Sequence, residues 1–215
     1  MQIVVLAGGV EAKSPAALRM VRGRPFVDWL LDGFVASGAR SVVMCVGPLG
    51  EQIETHVRRA LDRGLSVSYS YDGGAPLGSG GSLRRALARL EAEFVLTDAA
   101  RYLPFDYAAP LHDLLAHPEA VAVASVSRSP GNVAVEGDHV TSYASGRHDF
   151  ASAGAIALRR SALADIEDGA VWDIEALLRR LARHRQLRAF LTPERPFDAG
   201  SLELEQHLAQ LPLAT

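Results

Sequence analysis

The apolar residues fall into short blocks that alternate between strand and helix spacing. Residues 3–6 form a continuous apolar run closed by Gly8 and Gly9, which predicts a buried strand. Phe26, Trp29, Leu30 and Phe34 then recur at helical spacing. Pro25 suits the first turn of that helix, and Gly38 is placed to close it in a left-handed conformation. Residues 41–46 predict the next strand, and Leu49, Ile53, Val57 and Leu61 mark the next helix. Residues 65–70 alternate like a strand. Leu83, Ala86, Leu87 and Leu90 form a helical stripe beginning near Ser82, and residues 94–96 form a short buried strand. Strand and helix taking turns in this way predict an α/β protein with a doubly wound, mostly parallel sheet.

The rhythm changes in the second half. A helix is expected near residues 111–116 and a strand over 121–126. Residues 132–143 are short-spaced and β-rich, broken at Gly137-Asp138, a good hairpin turn. That segment reads as a small β-rich insertion. A strand over 153–158, a helix over 161–166, an amphipathic helix over 172–184, a strand over 187–191 and a helix over 202–211 complete the pattern. With no repeat, low-complexity tract or linker in view, one domain over residues 1–215 is the expectation.

Composition narrows the function classes. Of 215 residues, 48% are hydrophobic, enough for a sizeable core. The net charge of −3, with acids and bases interspersed, argues against a nucleic-acid or membrane-surface binder. The apolar runs are too short to span a bilayer, and Met1 leads directly into a strand-like run rather than a signal peptide. Cys45 is the sole cysteine and cannot form an internal disulfide. A cytoplasmic protein is expected. Lys13 is the only lysine; the other basic residues are arginines.

Two glycine-rich stretches offer the clearest chemistry. Leu6-Ala7-Gly8-Gly9 ends a strand at the carboxyl edge of the sheet, where open α/β sheets bind ligands. An ordinary strand-to-helix turn would read the same way. Gly78-Ser79-Gly80-Gly81 precedes the predicted helix, and such a turn presents backbone N–H groups to an anion. A capping role for Ser82 is the alternative, but three glycines in four residues favour binding. The seven histidines show no metal-ligand spacing, and Ser79 and Ser82 lack a local base.

Four stretches in order resemble the sugar-1-phosphate nucleotidyltransferases, closest to the heptose- and mannose-1-phosphate guanylyltransferase branch. They are residues 4–9 with Gly23-Arg24-Pro25-Phe26, Ser70-Tyr71-Asp72 with residues 76–81, Ser152-Ala153-Gly154, and residues 197–201. The resemblance implies that residues 1–107 bind a nucleotide and residues 108–215 a sugar. Leu6, Ala7, Gly8, Gly9, Gly78, Ser79, Gly80 and Gly81 would frame the nucleotide; Ser152, Ala153, Gly154 and Asp173 would face the sugar, although Asp173, with Glu175, fits the N-terminal dipole of its helix equally well. Asp98 and Asp198 would hold Mg²⁺, although Asp198 fits equally well as a cap for the last helix. Lys13 and Arg19 would face phosphates. The implied partners are a nucleoside triphosphate or nucleoside-diphosphate sugar and a sugar 1-phosphate, with a homodimer compatible with the pattern.

The pattern also departs from that family. The metal aspartate after residues 94–96 falls on Ala99 or Ala100, leaving Asp98 one residue early. A one-residue shift on an extended segment turns a side chain to the other face. The loop after Gly9 is short, with Ala16 at the family's lysine position and Glu11 where phosphates would sit. The family's later Glu-Lys pair is missing from residues 143–145. These losses keep two readings open: a transferase joining a nucleoside triphosphate to a sugar 1-phosphate, or a non-catalytic relative that binds a sugar nucleotide or a partner subunit.

Overall fold

A computed structural model describes residues 1–8, 10–11, 14–59 and 64–210. Its centre is a nine-stranded sheet. The strands are β1 (Gln2–Ala7), β2 (Ser41–Val46), β3 (Ser66–Tyr71), β4 (Glu93–Asp98), β5 (Ala122–Ser127), β6 (Gly131–Glu136), β7 (His139–His148), β8 (Ala151–Arg159) and β9 (Leu187–Thr192). Their order across the sheet is β6-β7-β9-β5-β8-β4-β1-β2-β3. β1 pairs in parallel with β2 and β4, as do β2 with β3 and β5 with β9. β7 and β8 run against the other strands, so the sheet is mixed and mostly parallel, as the alternating pattern predicts.

Alternation along β1 explains why helices cover both faces. Ile3, Val5 and Ala7 point into one apolar layer, and Val4 points into the other. The first layer packs under α1 (Phe26–Ala36), α2 (Gly50–Arg59), α4 (Ala108–Ala116) and α6 (Leu202–Ala209). The second packs under α3 (Gly78–Arg85) and α5 (Ile174–Arg183), through Leu83 and through Ile174, Leu177, Leu178 and Leu181. A strand buried on both faces must be apolar at nearly every position, which is why the run at residues 3–6 reads so clearly.

Local signals work where the chain supplies its own partners. Gly38, at φ +76°, follows α1 in the left-handed region. The N–H of Ala39 donates to the Phe34 carbonyl at 2.9 Å and that of Gly38 to Val35 at 2.9 Å, a paired C-terminal cap. The hairpin turns at Gly137 (φ +61°) and Asp138, with Glu136 opposite His139. β7 continues past Tyr143 and joins the main sheet through His139 opposite Arg188, so the β-rich insertion extends the sheet edge.

Three expectations needed correction. The 161–166 helix is only a 3₁₀ turn over Arg160–Leu163, because the chain closes with short bonds such as Ala164 N–H to Ser161 at 3.1 Å. The 172–184 helix begins at Ile174, since Trp172 is drawn into contacts with α3. α3 begins at Gly78 rather than near Ser82, and the stripe through Leu87 and Leu90 ends in a 3₁₀ turn over Leu87–Arg89. Leu61 and Leu211 lie outside the described residues.

Candidate functional site

The carboxyl ends of the parallel strands set the site. Leu6 of β1 stands in register with Asp98 of β4 on one side and Cys45 of β2 on the other. Asp72 follows directly after β3, its N–H bonded to the Val46 carbonyl at 3.1 Å. Two clefts open along this edge and share Leu6 and Ser79. The larger, about 500 Å³, is lined among others by Thr97, Asp98, Arg101, Tyr143, Ser152, Gly154, Asp173 and Glu175. The smaller, about 210 Å³, is lined by Leu6, Gly8, Cys45, Asp72, Pro76, Gly78, Ser79 and Ser82. Together they match the volume of ordinary small-molecule sites.

The residues expected to frame a nucleotide therefore divide. Leu6, Gly8, Gly78 and Ser79 line the smaller cleft. Ala7 is buried in the core. Gly9 and Lys13 lie outside the described residues. Gly80 and Gly81 line neither cleft and serve packing. A Cβ on Gly80 would come 2.5 Å from the Trp172 ring, and one on Gly81 would come 2.3 Å from the Ala170 carbonyl oxygen. Their N–H groups donate to the Trp172 carbonyl at 3.0 and 3.2 Å. Those two donors, expected to be free for an anion, are thus engaged. The Trp172 carbonyl supplies the first turn of α3 with the acceptor that glycines cannot supply themselves.

Ser79 ties the two sides together. Its hydroxyl accepts the Ile174 N–H at 2.9 Å, capping α5 from outside, and sits 3.3 Å from Asp173 Oδ1. Asp173 itself makes no side-chain cap bond to α5. Ser82, read as a cap alternative, instead donates to Asp72 Oδ2 at 2.8 Å. Asp72 is 7% exposed, and its Oδ1 has no hydrogen-bond partner among the described residues. Asp72 belongs to the Ser70-Tyr71-Asp72 stretch but has no partner in sequence that marks it as functional. Its signal, a carboxylate next to a glycine-rich helix start, becomes legible only once burial is known.

On the sugar side, Ser152 and Gly154 line the larger cleft, while Ala153 is fully buried. The triplet lies at a register shift between β5 and β8, and Gly154 adopts φ +91°. It is a bulge that re-aims the strand at the cleft. A Cβ on Gly154 would lie 3.6 Å from Arg101 Cζ, so the guanidinium rests along this bulge. Burial pushes the Tyr143 phenol above its ordinary value.

The two metal candidates are not arranged as a metal site. Asp98 reaches the larger cleft despite its one-residue offset, but both its oxygens are engaged. Oδ2 accepts Arg101 Nε at 2.9 Å and Nη2 at 2.5 Å, and Oδ1 accepts the Ala100 N–H at 2.9 Å. Asp198 is exposed and lines a separate groove with residues 193–197. It does not cap α6 either: Ser201 does, accepting from Leu204 N–H at 3.1 Å. No group of three or more His, Cys, Asp or Glu side chains able to hold a metal occurs among the described residues. With Asp98 held by Arg101, Mg²⁺ could use that carboxylate only by displacing the pair. Arg19 is exposed and donates to the Ala199 carbonyl at 2.8 Å, beside Asp198 and away from both clefts.

Cys45, in the smaller cleft, carries a testable consequence. Burial, then the charge of Asp72, push its thiol up to about 12 from 9.0. A raised folded-state value means the native thiol stays protonated while the unfolded one ionises. Its stabilising contribution is complete below pH 9 and is lost as the pH rises toward 12. Stability against urea should fall over that window, and Cys45→Ala should flatten the fall, leaving the part due to the tyrosines whose phenols burial also raises, Tyr69, Tyr71, Tyr102, Tyr107 and Tyr143. An unchanged slope in the variant would refute the assignment.

No family model matches the chain. Solved structures do share its fold. HddC from Yersinia pseudotuberculosis superposes with a TM-score of 0.81 at 19% identity, covering 97% of each chain. The same protein complexed with GMP-PN gives 0.78 at 19% identity over 96% of each. The inositol-1-phosphate CTP transferase from T. maritima gives 0.80 at 13% identity, covering 97% of this chain and 95% of that one. At these identities the likeness establishes the nucleotidyltransferase-like fold. No helix among the described residues is long and apolar enough to cross a membrane.

Proposed function

We propose that the joined clefts hold a nucleoside phosphate and a sugar phosphate, or the sugar nucleotide that unites them. The reading rests on one observation: the nucleotide and sugar motifs, far apart in sequence, line two clefts that meet at Leu6 and Ser79. The names of the structural neighbours, one solved with GMP-PN and one a CTP transferase, support the same ligand class. In this reading residues 1–107 take the nucleotide and residues 108–215 the sugar.

Each side has suitable chemistry. The Asp72 carboxylate offers a buried acceptor for an N–H group of a base. Asp173 and Glu175 offer acceptors for sugar hydroxyls, and Tyr143 and Ser152 add hydroxyl groups. The reaction this arrangement serves is attack by a sugar phosphate oxygen on the α-phosphorus of a nucleoside triphosphate. A new P–O bond forms, the bond to the β-phosphate oxygen breaks, and pyrophosphate leaves. The protein's share is to position the two ligands in line and exclude water. Cytoplasmic residence and a second copy of the chain as partner belong to the same reading.

A second reading, binding without turnover, is favoured by the Asp98–Arg101 pair, which engages the carboxylate that metal-assisted transfer would use. A thermal-shift panel of nucleoside triphosphates and nucleoside-diphosphate sugars tests the ligand class that both readings share. A ligand at about 100 times its Kd adds ~2.7 kcal/mol, a rise of roughly 5–10 °C for a chain of this size. A rise confined to one base class supports the reading. A panel that leaves the midpoint unmoved rejects it, and pyrophosphate release with the best triphosphate and a set of sugar 1-phosphates then separates transfer from binding.

A further inference from the structure

The carboxylate expected to hold a divalent ion holds a guanidinium. We propose that Arg101 is the resident cation of this site and binds the diphosphate of a sugar nucleotide without a divalent metal. The inference rests on the ligand class proposed above and concerns how that ligand is held.

Arg101 occupies the ground a metal would need. Its Nε and Nη2 form a fork on Asp98 Oδ2, at 2.9 and 2.5 Å, while the Ala100 N–H takes Oδ1. Mg²⁺ needs near-octahedral oxygens at ~2.0–2.1 Å, so it would have to displace a charge-assisted fork first. Asp198, the other candidate ligand, stands directly opposite Arg101 in a short antiparallel ladder. Directly opposed residues have Cβ atoms about 4.5–5.5 Å apart on one face. Asp198 thus adds a second negative charge near the guanidinium that Asp98 pairs with.

The guanidinium also faces the larger cleft. It rests along the Gly154 bulge and lines the larger cleft beside Tyr143 and Ser152. Only one of its edges is used. Nη1 makes no hydrogen bond among the described residues, and the side chain is 40% exposed. A guanidinium has five N–H donors in a rigid fork, so the open edge can take two phosphate oxygens while the other keeps Asp98. Asp98 then acts as a positioning residue for Arg101. Because Asp98 already pairs with it and Asp173 and Glu175 share the cleft, the guanidinium holds a diphosphate through the N–H groups of its open edge and cancels less of the charge on a leaving pyrophosphate than a divalent ion does.

Calorimetric titration of GDP-mannose and UDP-glucose, in EDTA and in millimolar Mg²⁺, tests this on wild type and Arg101→Met. The wild type should bind the preferred probe within about 2-fold in the two buffers, and Arg101→Met should bind about 10- to 100-fold more weakly in EDTA. Arg101→Lys should recover part of the loss, and Arg101→Gln replaces the methionine variant if that one does not fold. Tightening of wild-type binding by about 10-fold or more with Mg²⁺, or an Arg101 variant that binds like wild type in EDTA, would overturn the inference alone. Failure of the wild type to bind either probe in either buffer would overturn the ligand class and the inference with it.

Discussion

Asp72→Asn should lower nucleotide affinity about 10- to 100-fold while leaving the folded chain as stable as the wild type or more so. The two effects part because the residue is poorly satisfied in the fold itself. One carboxylate oxygen takes the Ser82 hydroxyl at 2.8 Å; the other is buried with no partner among the described residues. An unpaired buried acceptor costs roughly 1–3 kcal/mol, and more when charged. Packing alone would not retain it. The smaller cleft, with Gly8 and Gly78 on its walls, supplies the reason: a ligand donor can complete the pair. Asparagine keeps the shape and the acceptor for Ser82 but removes the charge. Equilibrium unfolding and nucleotide titration on the same preparation read the two effects separately. A variant that is destabilised by several kcal/mol, or that binds as wild type, would return Asp72 to a purely structural role.

Gly80→Leu should destabilise the protein by about 3 kcal/mol and weaken ligand binding with it. The smallest side-chain atom already collides: a Cβ at residue 80 would sit 2.5 Å from the Trp172 ring. The Trp172 backbone is held by its carbonyl, which accepts from Gly80 and Gly81, and by its N–H, which donates to the Leu77 carbonyl at 3.0 Å, so the ring can yield only by turning out of its packing against the core. Displacing it would also pull α5 from Ser79, which bonds the Ile174 N–H. Since Ser79 lines both clefts, the damage reaches the site without any direct ligand contact. For a chain of this length the midpoint should fall by roughly 6–12 °C. A midpoint within a degree of wild type would show that α3 and α5 are not locked in this way.

The sheet was legible because its central strands are buried on both faces. Ile3, Val4 and Val5 serve two different cores, so no polar residue interrupts the run. The end of α1 was legible because Gly38 and its capping bonds are local. The start of α3 was not: glycines are poor helix formers, and the acceptor that lets Gly80 and Gly81 begin a helix comes from Trp172, distant in sequence. The site followed the same division. Gly8, Gly78, Ser79, Ser152 and Gly154, singled out by motif order, line the clefts. The role of Arg101 did not, because an arginine three residues after an aspartate says nothing until a bulge at Gly154 brings it to the cleft. Arg19, expected to face phosphates, bonds the Ala199 carbonyl, a contact fixed by tertiary folding.

In the proposed function the two clefts act as one site. Calorimetric titration of the wild type with the best sugar nucleotide, its nucleoside diphosphate and the matching sugar 1-phosphate tests that directly. One sugar nucleotide should bind per chain, more tightly than either half, because it fills both sides of the Leu6–Ser79 junction at once. A sugar nucleotide that binds no better than its nucleoside diphosphate, or three silent titrations, would contradict the account.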